Sequence, residues 1–373
     1  MNVLYFTNAI SMYGANNSLI DMIEKLKKHN INICVAVMGK GSIKDELRKR
    51  GIKTYIIPYK TCAATVGAVS YSQKVKNLWN NIRCMSRIGE IIARNQVDLI
   101  HSNASNIDIG AMAALRYGIP HIWHIRELLY DDYGIKYVFP MITKYLLYRA
   151  DKIIAISYYV QEQRKLGKNS VVLYNGFNID KYKITKDTLF PTNELHILYC
   201  GLISKQKGLM DIVKAIKLLV KKGYKKIKLS ITGGENPYWF KVKEYIENNG
   251  LVSYIQFYGF QSDLRPYREW ADIGVVSSRC EALGRVTIEN MLGEVLVIGT
   301  KSGATKELIQ DGKTGFLYEP GNIGQLAEIM EYIGQNKMDA KKIVRNAQEY
   351  AVKNFDSGNY VDKLLDIYGK CVR

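Results

Sequence analysis

Two glutamates stand eight residues apart in the segment SSRCEALGRVTIENMLGEVLVIG, Ser277–Gly299. Glu281 follows a predicted strand, and Glu289 lies on the second turn of a helix predicted over about residues 284–292. Carboxylates accept hydrogen bonds from sugar and ribose hydroxyls, and the N–H groups of a helix that opens with glycine bind phosphate. The segment therefore indicates recognition of phosphate and hydroxyl groups, unless the glutamates are only a helix-start charge and part of a solvated face.

A second candidate group is a lysine that precedes a glycine after another predicted strand. Lys207 and Gly208 stand in YCGLISKQKGLMDIVKAI, Tyr199–Ile216. A cation in the first turn of a helix opposes the helix dipole unless an anion lies nearby. Lys207 is therefore either a phosphate ligand or a solvated lysine at a helix start.

Metal, nucleophile and cofactor chemistry lack their usual motifs. His121 and His124 would point to opposite faces of a strand, and neither a His-Glu-x-x-His string nor a cysteine cluster accompanies them. The Gly-x-Ser-x-Gly, P-loop and dinucleotide-binding strings are also absent, and Gly233–Gly234 is too short a glycine run to count. We expect no metal and no cofactor, and the six dispersed cysteines suit a reducing cytosol.

Short apolar runs alternate with segments of helical period, which is typical of parallel strands joined by crossover helices in an α/β fold. In the first half the predicted strands are Val3–Thr7, Ile33–Met38, Thr54–Pro58, Asp98–Ser102, His121–Ile125, Lys152–Ser157 and Ser170–Tyr174. In the second half they are Leu195–Gly201, Lys228–Gly234, Tyr254–Gly259, Asp272–Ser278, Glu294–Thr300 and Gly315–Glu319. Two doubly wound sheets fit this pattern better than one large sheet.

The polar stretch Phe177–Glu194 separates the two series of strands. We therefore predict a first domain over residues 1–188 and a second over residues 189–373, with a last helix at about residues 357–373 that packs back on the first domain. Open α/β sheets bind ligands beyond the carboxyl ends of their strands, so we expect a ligand between the two domains.

The composition agrees with a globular chain. The 373 residues are 47% apolar, which is enough for about two domain cores. The formal net charge is +18, and residues 1–190 carry most of it, with 27 basic and 14 acidic side chains. The chain starts without a signal-peptide pattern, and no run of about 18 apolar residues follows, so we expect a cytoplasmic protein.

The segment Val75–Asn95 predicts an amphipathic helix. Its apolar stripe consists of Leu78, Trp79, Ile82, Ile88, Ile91 and Ile92, and the cations outside the stripe are Lys76, Arg83, Arg87 and Arg94. The helix is a crossover helix with a solvated cationic face, or one whose cations also meet anionic lipid headgroups. Nucleic acid is not an expected partner, because the basic residues are dispersed and no recognition module is visible.

The string Glu281-Ala-Leu-Gly-Arg285, followed by Glu289, resembles the donor-site signature of the family-four retaining glycosyltransferases. The resemblance extends downstream through Ser302–Asn322 and upstream to Tyr199–Ile216. It implies the GT-B architecture, in which two Rossmann-like doubly wound domains face a central cleft.

The resemblance also implies roles for individual residues. Glu281 would contact the donor sugar, Glu289 the ribose, and Lys207 the diphosphate. The remaining donor-site positions that it implies are the backbone of Leu283 and Gly284, the strand-ending Gly201, and Gly259 and Phe260 beside the base.

The chain departs from the family pattern at three places. Leu202 stands where many relatives have a phosphate-binding arginine, so Arg285 or Lys205 would have to supply the missing charge. Of the family's amino-terminal Gly-Gly turn only the second glycine is present, as Gly14 after Tyr13. Arg126 stands where relatives have a histidine six residues past a proline.

This last departure bears on which residues would line the acceptor side of the site. Arg126 or His124 would line it, although a strand-borne histidine can be an ordinary packed side chain. Glu127 would orient its neighbour or bind acceptor hydroxyls.

The implied activity is metal-independent transfer of a hexosyl group, within enzyme class EC 2.4, from a nucleotide-diphosphate sugar to a saccharide or polyprenyl-linked acceptor with retention. A UDP-sugar is the expected donor. The implied location is the inner face of the cytoplasmic membrane, in capsule, exopolysaccharide or O-antigen synthesis. Two alternatives stay open: a nucleotide-sugar epimerase of GT-B fold and a non-catalytic carbohydrate-binding subunit.

Overall fold

The computed structural model describes residues 1–8 and 14–372. The chain forms two compact units: unit 1 consists of Met1–Phe177 together with Ser357–Arg373, and unit 2 consists of Asn178–Asp356. Each unit is built on a parallel sheet with helices on both faces.

Unit 1 contains a seven-stranded sheet and a short ribbon. Its strands are β1 (Asn2–Phe6), β2 (Asn32–Val37), β3 (Lys53–Ile56), β4 (Ala63–Thr65), β5 (Leu99–Ser102), β6 (His121–Ile125), β7 (Ile135–Tyr137), β8 (Lys152–Ala155) and β9 (Ser170–Val172). The parallel sheet has the order β3-β2-β1-β5-β6-β8-β9, while β4 and β7 pair antiparallel. The sequence did not predict β4 and β7, because three residues are too few to show a hydrophobic period.

Helices cover both faces of the unit 1 sheet. They are α1 (Gly14–Leu26), α2 (Ser42–Lys49), α3 (Tyr71–Asn95), α4 (Ile109–Tyr117), α5 (Tyr130–Tyr133), α6 (Pro140–Arg149) and α7 (Tyr158–Gln163), with a 3-10 turn at Lys27–His29. Successive side chains of a strand point to opposite faces. Accordingly, Val3 and Tyr5 pack with α1 and α2, whereas Leu4 and Phe6 pack with α3 and α4.

The structure corrects the predicted core stripe of α3. Ile88, Ile91 and Ile92 are buried against the sheet, but Trp79 and Ile82 are exposed. Nine residues separate Trp79 from Ile88, which is about two and a half turns, so the two side chains point to opposite sides of the helix. The sequence pattern placed them together because it did not show which arc of a long helix its neighbours cover.

Unit 2 contains a six-stranded parallel sheet. Its strands are β10 (Leu195–Cys200), β11 (Ile227–Thr232), β12 (Ile255–Phe257), β13 (Ile273–Val276), β14 (Leu296–Thr300) and β15 (Phe316–Tyr318). The order is β12-β11-β10-β13-β14-β15. The chain thus runs outward from β10 and then returns to its other side at β13, which creates a switch point where ligands bind in open α/β sheets.

The helices of unit 2 are α8 (Ile179–Tyr182), α9 (Leu209–Lys221), α10 (Pro237–Asn248), α11 (Arg265–Trp270), α12 (Arg285–Leu292), α13 (Thr305–Leu308), α14 (Ile323–Gln335) and α15 (Lys337–Phe355), with a 3-10 turn at Val252–Tyr254. The segment after Phe177 belongs to this unit because the Ile184 N–H donates to the carbonyl of Leu292 (3.1 Å) and the Lys186 N–H donates to Glu294 Oε2 (2.7 Å). Unit 2 therefore begins inside the polar stretch 177–194, ahead of residue 189.

The last helix, α16 (Ser357–Cys371), belongs to unit 1. Tyr360, Val361 and Leu364 are buried there with the side chains of α1. Gly176 permits this packing, because a Cβ at that position would lie 2.7 Å from the Cβ of Tyr360.

Candidate functional site

One candidate site lies in unit 2, at the carboxyl ends of β10 and β13, in the loops of residues 201–208 and 277–284. Backbone and side-chain hydrogen bonds fasten these loops to each other. The Arg279 N–H donates to the carbonyl of Gln206 (2.7 Å), and Ser277 Oγ donates to the carbonyl of Lys207 (2.9 Å). Residues from two distant chain segments are thereby fixed at one sheet edge.

Gly208 allows the two loops to approach this closely. It has a φ of +70°, and a Cβ built there would collide with the carbonyl oxygen of Ser277. Glycine adopts this left-handed backbone without strain, and it has no Cβ to collide with the carbonyl of Ser277.

We expect Gly208→Ala to destabilise unit 2 by about 2 kcal/mol more than a matched Gly223→Ala variant. Gly223 has a φ of +92° but nothing within 4 Å of its built Cβ, so it reports the backbone strain alone. Urea unfolding of both purified variants measures the difference. Equal midpoints would show that the loop contact is dispensable.

The side chains of Glu281 and Lys207 meet between these loops. Lys207 Nζ lies 2.7 Å from Glu281 Oε1, and Ser278 Oγ donates to the same oxygen (2.5 Å). The side chains of Lys207 and Glu281 are 30% and 16% exposed, respectively, so the ion pair is sheltered but reachable from solvent. An ammonium has three donors, so contact with Glu281 is compatible with a further phosphate contact.

The backbone of Glu281 is also fixed. The Ala304 N–H donates to its carbonyl (2.9 Å), and a Cβ on Gly303 would lie 2.5 Å from its nitrogen. Three loops, after β10, β13 and β14, therefore hold the carboxylate in place, which is what recognition of a directional group such as a hydroxyl requires.

Helix α12 starts directly beside this ion pair. Leu283 is buried, and Gly284, with a φ of +87°, occupies the N-cap position before Arg285. Glycine brings no side chain to cap the N–H groups of the first turn, and such groups bind anions. The eight-residue helix thus brings an anion-binding end next to Lys207.

The second glutamate of the signature has different partners. Arg268 Nη2 lies 2.5 Å from Glu289 Oε2, and Arg285 Nε lies 3.3 Å from its Oε1. Arg285 Nη2 also donates to the hydroxyl of Tyr182 (3.0 Å). Glu289 is therefore held by two guanidinium groups, and Arg285, one of the two residues expected to replace the missing phosphate ligand, is oriented by Glu289 and Tyr182.

Arg268 was not among the residues predicted from sequence. It lies on α11, in a short RPYREW segment that resembles no binding motif, and its Nε also donates to Asn290 Oδ1 (3.3 Å). No sequence signal could have found it, because its partners lie 21 and 22 residues away on another helix.

Three glycines meet at the carboxyl ends of β10, β11 and β12. The Gly201 N–H donates to Thr232 O (3.0 Å), and the Gly233 N–H donates to Gly259 O (2.9 Å). A Cβ on Gly233 would collide with the carbonyl of Gly201. Beside this bare stretch of backbone, Leu202, Lys205 and Phe260 are exposed. Gly233 belongs to the glycine run that is too short for a dinucleotide-binding motif. In the structure it contacts two predicted donor-site glycines, Gly201 and Gly259.

A second candidate site lies in unit 1, directly after β6. Arg126 is buried, its Nε donates to Asn103 Oδ1 (3.0 Å), and its Nη1 donates to Asn175 Oδ1 (2.5 Å). The Ser105 N–H donates to Glu127 Oε2 (2.8 Å). Burial raises the pKa of Glu127, against the hydrogen bonds from Ser105, which lower it.

The polar partners of Arg126 and Glu127 were missed in the sequence. The signal was present in the run Ser102-Asn-Ala-Ser-Asn106, which begins at the carboxyl end of the predicted strand Asp98–Ser102 and is rich in hydrogen-bonding side chains. The chain runs outward from β1 to β3 and then returns to the other side of β1 at β5. The run after β5 therefore lies at the switch point of the unit 1 sheet.

His124 lies inside the sheet of unit 1. It is fully buried, and its ring centroid lies 5.6 Å from that of His101. Burial lowers the pKa of His124 well below its usual value, and the charge of Arg126 adds to the effect, so the ring is neutral near pH 7. Gly14 opens α1 and accepts a hydrogen bond from Ser18 Oγ (3.0 Å), whereas Tyr13 lies outside the described residues.

Two further observations concern the described residues as a whole. Within residues 1–8 and 14–372, no helix is both long enough and apolar enough to cross a bilayer. In that same part of the chain, no group of three or more His, Cys, Asp or Glu side chains is placed to hold a metal ion.

Comparison with known proteins places both units among sugar-transferring enzymes. The family model described as Glycosyltransferase Family 4 matches residues 12–181, and that of Glycosyl transferases group 1 matches residues 180–350. The uncharacterized glycosyltransferase MJ1178 of Methanocaldococcus jannaschii is 30% identical over 280 residues, which are 72% of this chain and 74% of the relative.

Two other similarities are informative. The capsular polysaccharide biosynthesis glycosyltransferase CapM of Staphylococcus aureus is 25% identical over 286 residues, 70% of this chain and 73% of CapM. The crystal structure of Anabaena Alr3699/HepE in complex with UDP aligns with a TM-score of 0.84 at 21% identity, covering 99% of this chain and 100% of that chain. The predicted α/β fold of GT-B type is thereby confirmed.

Proposed function

Because the chain belongs to the glycosyltransferases of Family 4 and group 1, as its Glu281 signature predicted, we propose that it moves a hexosyl group from a nucleotide-diphosphate sugar to a saccharide acceptor, within class EC 2.4. The observation that carries the proposal is the 2.7 Å contact between Lys207 and Glu281 beside the start of α12. It unites a diphosphate ligand, a sugar ligand and an anion-binding helix end in one place.

The donor binds to unit 2 in this proposal. Lys207 and the first-turn N–H groups of α12 hold the diphosphate, and Glu281 holds hydroxyls of the sugar. Glu289, fixed by Arg268 and Arg285, receives the ribose hydroxyls through its remaining acceptor positions. A UDP-sugar is the proposed donor, supported by the structures of HepE with UDP and with UDP-glucose.

Departure of the diphosphate is the difficult step. The bond between the anomeric carbon and the diphosphate oxygen breaks while negative charge grows on that oxygen. The ammonium of Lys207 and the helix dipole stabilise this charge without a divalent ion, because they are already oriented toward it. The acceptor oxygen bonds to the anomeric carbon on the same face, and its proton passes to the leaving diphosphate, so configuration is retained.

The acceptor binds to unit 1 in this proposal. Arg126, fixed by Asn103 and Asn175, and the neighbouring Glu127 offer a donor and an acceptor for saccharide hydroxyls. The acceptor is lipid-linked, and the enzyme works at the inner face of the cytoplasmic membrane in capsule or related polysaccharide synthesis. The similarity to CapM and the excess of positive charge in residues 1–190 support this part.

A thermal-shift panel of UDP, GDP, ADP and their sugars tests the donor proposal. A ligand at 100 times its dissociation constant stabilises the native state by about 2.7 kcal/mol, which raises Tm by about 5–10 °C. We expect this shift with UDP and a UDP-sugar in the presence of EDTA. A panel without any shift would contradict the donor site, and a shift abolished by EDTA would contradict metal independence.

Retention and transfer need a second measurement. Incubating the enzyme with the stabilising UDP-sugar and a saccharide acceptor, followed by NMR of the product, gives the anomeric configuration. An inverted product would contradict the proposed geometry. A donor altered without any acceptor would instead indicate epimerisation.

A further inference from the structure

Helices α3, α4 and α6 form one layer on unit 1. Side chains of α3 and α4 share a core with Leu4, Phe6 and Ile100 of the sheet. Helix α6 packs against α4, and its Ile142 lines a small groove together with Leu78 of α3. The outer surfaces of these helices therefore face solvent on the same side of the sheet.

The outer surface of α6 is apolar and cationic. Met141, Tyr145 and Tyr148 follow one another at spacings of four and three residues and share a helix face. Met141 is 79% exposed and Tyr148 is 81% exposed. Lys144 and Arg149 flank this stripe and are also exposed.

The outer surface of α3 has the same character. Trp79, which is 59% exposed, lies with exposed Ile82 among the cations Lys76, Arg83 and Arg87. These tryptophan and isoleucine side chains are the two that the sequence pattern had assigned to the core.

The layer of α3, α4 and α6 carries an excess of positive charge. Helices α3, α4 and α6 carry eight Lys and Arg residues and a single acid, Glu90. Amphipathic rings and apolar side chains interspersed with cations are typical of helices that lie in the interface of a membrane. This excess of cations calls for an anionic partner, and a bilayer with anionic lipids supplies negative headgroups beside an apolar layer.

We propose that the outer face of α3 and α6 docks on an anionic bilayer. We call it the α3–α6 face and define it by Lys76, Trp79, Ile82, Arg83, Arg87, Met141, Lys144, Tyr145, Tyr148 and Arg149. The apolar stripe inserts into the headgroup region while the cations pair with lipid phosphates. This inference rests on the proposed lipid-linked acceptor and names the surface that brings unit 1 to it.

Vesicle co-sedimentation of the full chain is the primary test. We expect binding to phosphatidylglycerol–phosphatidylcholine vesicles, and at least about tenfold weaker binding to pure phosphatidylcholine vesicles or at high salt. Two variants address the face: the triple variant Met141→Ser, Tyr145→Ser, Tyr148→Ser and the double variant Arg83→Glu, Lys144→Glu. Each is expected to weaken binding about tenfold or more.

Matched controls come from unit 2. Phe240→Ser and Met338→Ser remove exposed apolar side chains, and Lys243→Glu reverses an exposed charge. They are expected to bind vesicles as the unaltered protein does. The UDP-induced thermal shift is measured for every variant, and it is expected to be unchanged because the substitutions lie outside the donor site.

Tryptophan fluorescence supplies a readout of contact. Brominated lipids quench a tryptophan that enters the bilayer, so quenching is expected in the unaltered protein and largely lost in Trp79→Phe. Trp123 and Trp239 are buried and contribute little to it, and Trp270, in unit 2, is stacked on His196.

The outcomes separate cleanly. The docking face is wrong if the unaltered protein does not bind anionic vesicles. It is also wrong if the variants of the α3–α6 face bind vesicles as well as the controls do. Loss in the charge variant alone, with no quenching of Trp79, overturns apolar insertion. If vesicle binding fails while the UDP shift persists, the docking face is wrong and the donor site stands. If binding is lost in the face variants and no nucleotide shifts Tm, the surface stands and the proposed transfer does not.

Discussion

Replacing Glu281 with glutamine is expected to lower the rate of sugar transfer by about 10³-fold or more, equivalent to about 4 kcal/mol of transition-state stabilisation. Glutamine keeps the size of the side chain and can still accept the hydrogen bond from Ser278. It removes the charge that faces the sugar as the anomeric carbon becomes positive. Initial rates with the UDP-sugar identified by thermal shift, measured as release of UDP, provide the test.

The Glu281→Gln variant also leads to a prediction for the binding of UDP. UDP alone lacks the sugar that Glu281 contacts, and Lys207 is released from its ion pair when the carboxylate is gone. The dissociation constant for UDP is therefore expected to stay the same or to fall. Glu319→Gln is the matched control, since Glu319 is an exposed carboxylate of the same unit. A Glu281→Gln enzyme as active as this control would remove Glu281 from the mechanism.

Replacing Lys207 with alanine is expected to produce the opposite pattern for UDP. Loss of the ammonium is expected to lower kcat/KM by about 10²-fold, or about 2.7 kcal/mol, because charge grows on the diphosphate during the reaction. The dissociation constant for UDP is expected to rise about tenfold, as befits a lost charge-assisted hydrogen bond. Isothermal titration with UDP and initial-rate measurements test the two values separately.

Lys205→Ala is the informative comparison. Lys205 lies two residues earlier in the same loop, and its side chain is exposed. Its removal is expected to change UDP affinity less than removal of Lys207 does. If Lys205→Ala is the more damaging variant, the diphosphate is held by the outer lysine, and our assignment of Lys207 is wrong.

Much of the fold could be predicted from the chain alone. Strand β6 has the predicted limits His121–Ile125, and the other parallel strands overlap their predicted ranges. Buried parallel strands are continuous apolar runs, and a run of this kind is a local property of the sequence. The short ribbon of β4 and β7 escaped prediction because its stability comes from pairing between strands about 70 residues apart.

The candidate site could be predicted only in part. Glu281, Gly284 and Glu289 belong to one local string, and the resemblance of that string to the family signature implied a common role for them. Arg268, which holds Glu289, and Asn175, which holds Arg126, belong to no string at all. Their contacts depend on which strands are neighbours, and periodicity does not contain that information.

The sequence by itself determined the alternation of strands and helices, the two-part organisation and the family signature, because each of these is encoded in residues close together along the chain. The tertiary structure decided that Lys207 and Glu281, 74 residues apart, share an ion pair and that Trp79 faces solvent. The physical reason is that strand order brings distant loops to one sheet edge, and neighbouring helices select which arc of a helix is buried.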